Sequence, residues 1–112
     1  MNISFHEKEL SINEKKITFP TSIQTVVQVK NGVIVLIKAF IKVSDRNVYF
    51  VNLDGAIKWR IQNLDPSKKI SNQYYSYAGL NEDGVLEVND INAYLCKVNL
   101  EDGALYDCEF TK

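Results

Sequence analysis

The strongest constraint on this chain is that it repeats itself. Tyr49-Phe50-Val51-Asn52-Leu53-Asp54-Gly55-Ala56-Ile57 aligns, with one residue inserted in the second copy, on Cys96-Lys97-Val98-Asn99-Leu100-Glu101-Asp102-Gly103-Ala104-Leu105, and an aromatic closes each copy, Trp59 after Lys58 and Tyr106 directly. Both copies read as strand, Asn-Leu, acidic-Gly-Ala, aliphatic, aromatic. Upstream, Lys30-Asn31-Gly32-Val33-Ile34-Val35 matches Glu82-Asp83-Gly84-Val85-Leu86-Glu87. Gly55 and Gly103 lie 48 residues apart, and Gly32 and Gly84 lie 52 apart. That spacing suits a unit of about four strands.

The rest of the chain reads as strands too. Helical periodicity is scarce, and short apolar stretches are broken by turn residues. Leu10-Ser11-Ile12 and Ile17-Thr18-Phe19 flank Asn13-Glu14-Lys15-Lys16, which predicts a hairpin with a four-residue loop. Asn31-Gly32 predicts a tight hairpin through residues that tolerate positive φ. A long strand from Val33 to about Val43 follows, apolar on both faces at its start, as at the centre of a sheet. Ser44-Asp45-Arg46-Asn47 is a predicted turn. Asp65-Pro66-Ser67-Lys68-Lys69 predicts a single helical turn within the polar connection from Asn63 to Asn72. The five glycines read as isolated turn residues. Strand alternation places Tyr75 and Tyr77 on one face and Tyr74 on the other.

Residues Asn47 to Trp59, with the Asp54-Gly55 turn and the Ile57-x-Trp59 strand, resemble the outer strands of a quinoprotein-type β-propeller blade. The resemblance implies an all-β fold of antiparallel meander sheets, about two to two-and-a-half propeller-like four-stranded blades, a half-propeller. It implies one domain over 1–112, with the repeat covering roughly 21–62 and 73–112 and the hairpin 8–20 as a partial third copy. A closed propeller needs at least about four blades. The chain is therefore part of a propeller, an open stack, or an unrelated meander in which Asp-Gly hairpins recur by turn chemistry alone. An open stack leaves unpaired edges and an uncovered sheet face, so a homodimer or a partner is expected to bury them.

With 112 residues, 46% of them hydrophobic, the chain suffices for one core. Its net charge of −1 hides a division: residues 1–60 carry +4 and residues 61–112 carry −5. A surface of one sign steers a partner of the other. Asn2 to Lys8 meets charge before any apolar region develops, unlike a secretory signal. The longest aliphatic run, Val33 to Ile37, is far short of the roughly 20 residues a membrane helix needs. No membrane contact and a cytoplasmic location are the expectation. Cys96 and Cys108 are then expected as free thiols packed as small apolar groups. They fall on predicted neighbouring strands, where a directly opposed pair would oxidise, but sequence does not fix the register.

Catalytic chemistry is not expected. The single histidine, His6, sits near the terminus, so Ser-His or Cys-His catalysis has no base to route through. No Cys/His set has zinc spacing, and no glycine-rich phosphate loop is present. The carboxylates Glu82, Asp83, Glu87, Asp90, Glu101, Asp102, Asp107 and Glu109 crowd the C-terminal half. Their turns are too short for a calcium loop. No metal and no cofactor are expected. Direct nucleic-acid binding would interleave aromatics with Lys or Arg, and only Lys68 and Lys69 lie near the tyrosines.

Small size, a bare catalytic inventory and an acidic C-terminal half together are similar in character to the bacterial immunity proteins of contact-dependent inhibition and other polymorphic toxin systems. That resemblance implies a non-enzymatic protein that occludes a cationic toxin domain such as a nuclease. Glu82, Asp83, Asp90, Glu101 and Asp102 are then the steering residues, and Tyr74, Tyr75, Tyr77 and Trp59 the anchors, although in blade-like sequences the tryptophan more often belongs to the core. Two other classes stay open: an assembly module that completes a propeller or homo-oligomer, and a binder of a sugar or peptide.

Overall fold

The computed structural model describes residues 2–39, 46–62, 74–91 and 94–110. Among them the chain is all-β, with no helix. The strands are β1 (Ile3–His6), β2 (Glu9–Ile12), β3 (Lys15–Thr18), β4 (Ile23–Val29), β5 (Gly32–Ile37), β6 (Val48–Asn52), β7 (Ile57–Arg60), β8 (Tyr75–Leu80), β9 (Leu86–Asp90), β10 (Tyr94–Val98) and β11 (Leu105–Phe110). They form three antiparallel meanders: β1-β2-β3, β4-β5-β6-β7 and β8-β9-β10-β11. The predicted helical turn at 65–69, the far end of the long strand at 40–43, and Ser44 and Asp45 of the predicted turn lie outside the described residues.

The sheets stack in chain order, with the second in the middle. Val33, Val35 and Ile37 of β5 and Tyr49 and Val51 of β6 pack against Leu10, Ile12 and Phe19. Ile34, Leu36, Val48 and Phe50 point the other way, onto Leu86, Val88, Cys96 and Val98 of the third sheet. Covering on both faces explains why β5 is apolar at every position instead of alternating. Deleting a buried leucine or isoleucine side chain from either layer would cost about 2–5 kcal/mol.

The first sheet closes its end of the stack. Its inward residues Ile3, Leu10, Ile12 and Ile17 join the core. On the opposite face the paired residues Ser4, Ser11 and Lys16, then His6, Glu9 and Thr18, are all polar. That alternation is how a terminal layer meets water.

Two turns differ from expectation by register. The β2–β3 loop is only Asn13-Glu14, with φ of 45° and 73°, so the strands run on to Lys15 and Lys16. Two positive φ values give the turn whose twist matches the flanking strands. The β4–β5 loop is Lys30-Asn31, which leaves Gly32 inside β5 opposite Asn52. Gly32 is there for space: a Cβ would meet the Phe50 ring at 2.3 Å.

The aligned repeat copies make the same bonds. Asn52 N donates to Ala56 O at 2.8 Å, and Asn99 N to Ala104 O at 2.9 Å. Asp54 and Asp102 each accept from the alanine amide two residues on, at 2.9 Å. Gly55 and Gly103 both take positive φ.

Asn47 joins the middle sheet to the third. Its fully buried amide donates to Ile37 O at 2.9 Å and to Tyr75 O at 2.8 Å, and accepts from Tyr75 N at 2.8 Å. Asn47 closes the predicted turn, yet its side chain is buried. Here it supplies hydrogen bonds to three backbone groups that no ladder reaches.

Candidate functional site

The third sheet holds Glu82, Asp83, Glu87, Asp90, Glu101, Asp102, Asp107 and Glu109 against a single cation, Lys97, among its described residues. Lys97 lies 3.8 Å from Asp107. In a meander, alternate turns share one end. The β8–β9 turn with Glu82 and Asp83 and the β10–β11 turn with Glu101 and Asp102 therefore emerge together.

Both turns are built by side chains that bond their own backbone. Asn81 Oδ1 accepts from Asp83 N at 2.9 Å and Val85 N at 3.0 Å, and Asn99 Oδ1 accepts from Glu101 N at 2.9 Å. Such Asx turns hold the loop shape and turn the following carboxylates outward. Glu101 also lies 3.5 Å from Lys58 of β7, an exposed pair that contributes little. Between the turns runs an open groove of about 330 Å³, lined by Gly84, Val85, Leu86, Val98, Asn99, Leu100 and Tyr106.

Asp90 is elsewhere. It is only 4% exposed and sits at the opposite end of the sheet, where Oδ1 accepts from Tyr94 N at 3.0 Å across the β9–β10 connection. Trp59 is likewise a core residue, 8% exposed, with Nε1 donating to Leu100 O at 2.8 Å and its ring over Gly103. Gly103 has φ of 76°, and a Cβ there would meet the indole at 2.7 Å. Burial takes both residues out of any surface footprint.

The tyrosines separate. Tyr75 pairs with Asp90 and Tyr77 with Asn89, so Ser76 is an extra residue in β8. The bulge breaks alternation. Tyr75 turns inward, 2% exposed, and its hydroxyl donates to Gln62 O at 2.5 Å. Burial, and secondarily the Asp90 carboxylate, raise its pKa far above the usual phenol value, with Arg46 opposing. Tyr77 turns outward, 48% exposed, and its ring covers Gly79, a strand glycine and not a turn one. Tyr74 is half-buried beside the sheet, its carbonyl accepting from Ile91 N at 2.9 Å.

Cys96 and Cys108 are joined in a disulfide, contrary to the expectation of free thiols. Leu95 pairs with Glu109 and Lys97 with Tyr106, so Asp107 and Cys108 together oppose Cys96. Asp107 takes φ of 48° in this bulge. The extra residue turns Cys108 to the same face as Cys96, with Cα atoms 4.1 Å apart.

Register also reveals residues that composition did not single out. Tyr106 pairs with Lys97 and Glu109 with Leu95, on the face opposite the core residues Cys96 and Val98. Tyr77, Asn89 and Glu87 share that face. Tyr106 is 43% exposed. The aromatic that closes each repeat copy, Trp59 in one and Tyr106 in the other, was the signal that could have found it.

One recognised family covers nearly the whole of this chain. The family described as "Domain of unknown function (DUF7957)" matches residues 1–110. The chain belongs to that family. No curated protein matches the chain. Among the described residues, no group of His, Cys, Asp and Glu could hold a metal ion, and no helix is long and apolar enough to cross a membrane.

Proposed function

We propose that this chain is a non-enzymatic binding protein whose acidic third sheet docks a cationic protein. The reading that fits best is a bacterial immunity protein, which occludes a toxin domain built to grip phosphates. The observation that carries it is the charge of the third sheet, eight carboxylates against Lys97, with Glu82, Asp83, Glu101 and Asp102 presented together at one end. Such a field speeds encounter with a basic partner and selects against acidic ones. A nuclease cleft, cationic by necessity, is the natural target.

The test is growth. Cells expressing the toxin-like gene beside this one should be arrested alone and rescued by this chain. Reversing Glu82, Asp83, Glu101 and Asp102 to lysine should reduce rescue at equal protein level. Rescue that survives all four reversals would remove these turns from the proposal. A neighbour that is harmless alone would remove the immunity reading itself.

A further inference from the structure

The stack is finished at one end and unfinished at the other. The outer face of the first sheet is polar at every paired position. The outer face of the third sheet carries Tyr77, Leu95 and Tyr106 among its charges. The repeat explains the difference. Trp59 in β7 points toward the following sheet and is covered by its β10–β11 turn. In register Tyr106 takes the corresponding place in the next sheet, opposite Lys97 as Trp59 is opposite Phe50, and it points the same way along the stack, where the described residues place no further sheet.

We infer that the outer face of the third sheet is the docking face, and that its occupant is a basic protein surface laid across Tyr77, Leu95 and Tyr106. This rests on the cationic-partner reading above and gives it a footprint. Tyrosines suit that role because they offer large, stiff, half-polar contact area. The Tyr77 ring already lies against Gly79, so less ordering remains to be done on binding. Charge identifies the occupant. Glu87 and Glu109 share the face, and the one lysine on it is beside Asp107. A second copy meeting the same face about a two-fold axis would bring like charge against like.

The experiment is an amide chemical-shift titration of the isotope-labelled, disulfide-bonded protein with a synthetic arginine-rich peptide carrying leucines, at low salt. The inference predicts shifts centred on Tyr77, Leu95 and Tyr106. Tyr77→Ser with Tyr106→Ser should weaken binding about tenfold, while Ser4→Ala with Thr18→Ala on the first sheet should leave it unchanged. Shifts confined to the Glu82-Asp83 and Glu101-Asp102 turns would overturn the footprint and leave the cationic-partner reading standing. No shifts at all would sink both. Concentration-dependent shifts on this face without peptide would show a second copy to be the occupant and overturn the inference.

Discussion

Asn47 and Tyr75 hold each other by two hydrogen bonds, Nδ2 to the Tyr75 carbonyl and the Tyr75 amide to Oδ1, both 2.8 Å. This pair fastens the middle sheet to the start of β8, with a third bond to Ile37 O. Asn47→Ala should cost about 3 kcal/mol, because buried backbone groups are left unpaired. Asn47→Asp should cost at least as much, since it sets an acceptor against two carbonyl oxygens. Urea unfolding measures both. A loss below about 0.5 kcal/mol for the alanine variant, the range of ordinary surface changes, would contradict this role.

Tyr75 also makes stability depend on alkaline pH. Below about pH 10 the phenol is protonated in folded and unfolded chains alike. Above it the unfolded chain releases a proton that the buried phenol, its pKa raised, retains. The folded state then binds more protons, so stability falls as pH rises. Tyr75→Phe should lose about 1 kcal/mol at neutral pH with the Gln62 bond. It should also lose less than the wild type between about pH 9 and pH 11. Parallel curves for the two proteins would show that Tyr75 does not set this slope.

Gly103 and Gly84 separate backbone strain from packing. Both have positive φ, 76° and 77°, but a Cβ at Gly84 meets nothing within 4 Å, whereas one at Gly103 meets Trp59. Gly84→Ala should cost about 1 kcal/mol, the backbone part alone. Gly103→Ala should cost roughly 1–3 kcal/mol more, the range for overpacking a filled core. It should also change tryptophan fluorescence. Equal losses would mean that the indole moves aside freely.

The Cys96–Cys108 bridge closes a short loop, its cysteines 12 residues apart, around the β10–β11 turn. A loop of that size contributes about 3 kcal/mol when oxidised. Reductant should lower the unfolding midpoint of the wild type and leave a Cys96→Ser, Cys108→Ser protein unaffected. Thiol alkylation followed by mass measurement reports which form exists in cells. Two free thiols in the freshly isolated, folded protein would show that the bridge is absent in its native compartment.

What could be read from the chain was local. β5 betrays its central place because covering on two faces removes alternation, and the repeat shows because equivalent turns need equivalent residues. What could not be read was register. One extra residue at Ser76 sends Tyr75 and Tyr77 to opposite faces, and one at Asp107 brings Cys108 onto Cys96. Bulges arise from pairing with another strand, which single-strand alternation does not contain. The acidic turns were legible as turns and as charges. That four carboxylates gather while Asp90 is buried at the far end follows from the meander. Tyr106 is exposed because, among the described residues, no sheet covers the outer face of the third.

The most direct test of the account is the mass of the complex isolated when this chain is expressed with its genomic neighbours. The account predicts a one-to-one complex with a basic neighbour, held at low salt and loosened as ionic strength rises. A homo-oligomer of this chain, or a complex with an acidic protein indifferent to salt, would contradict it.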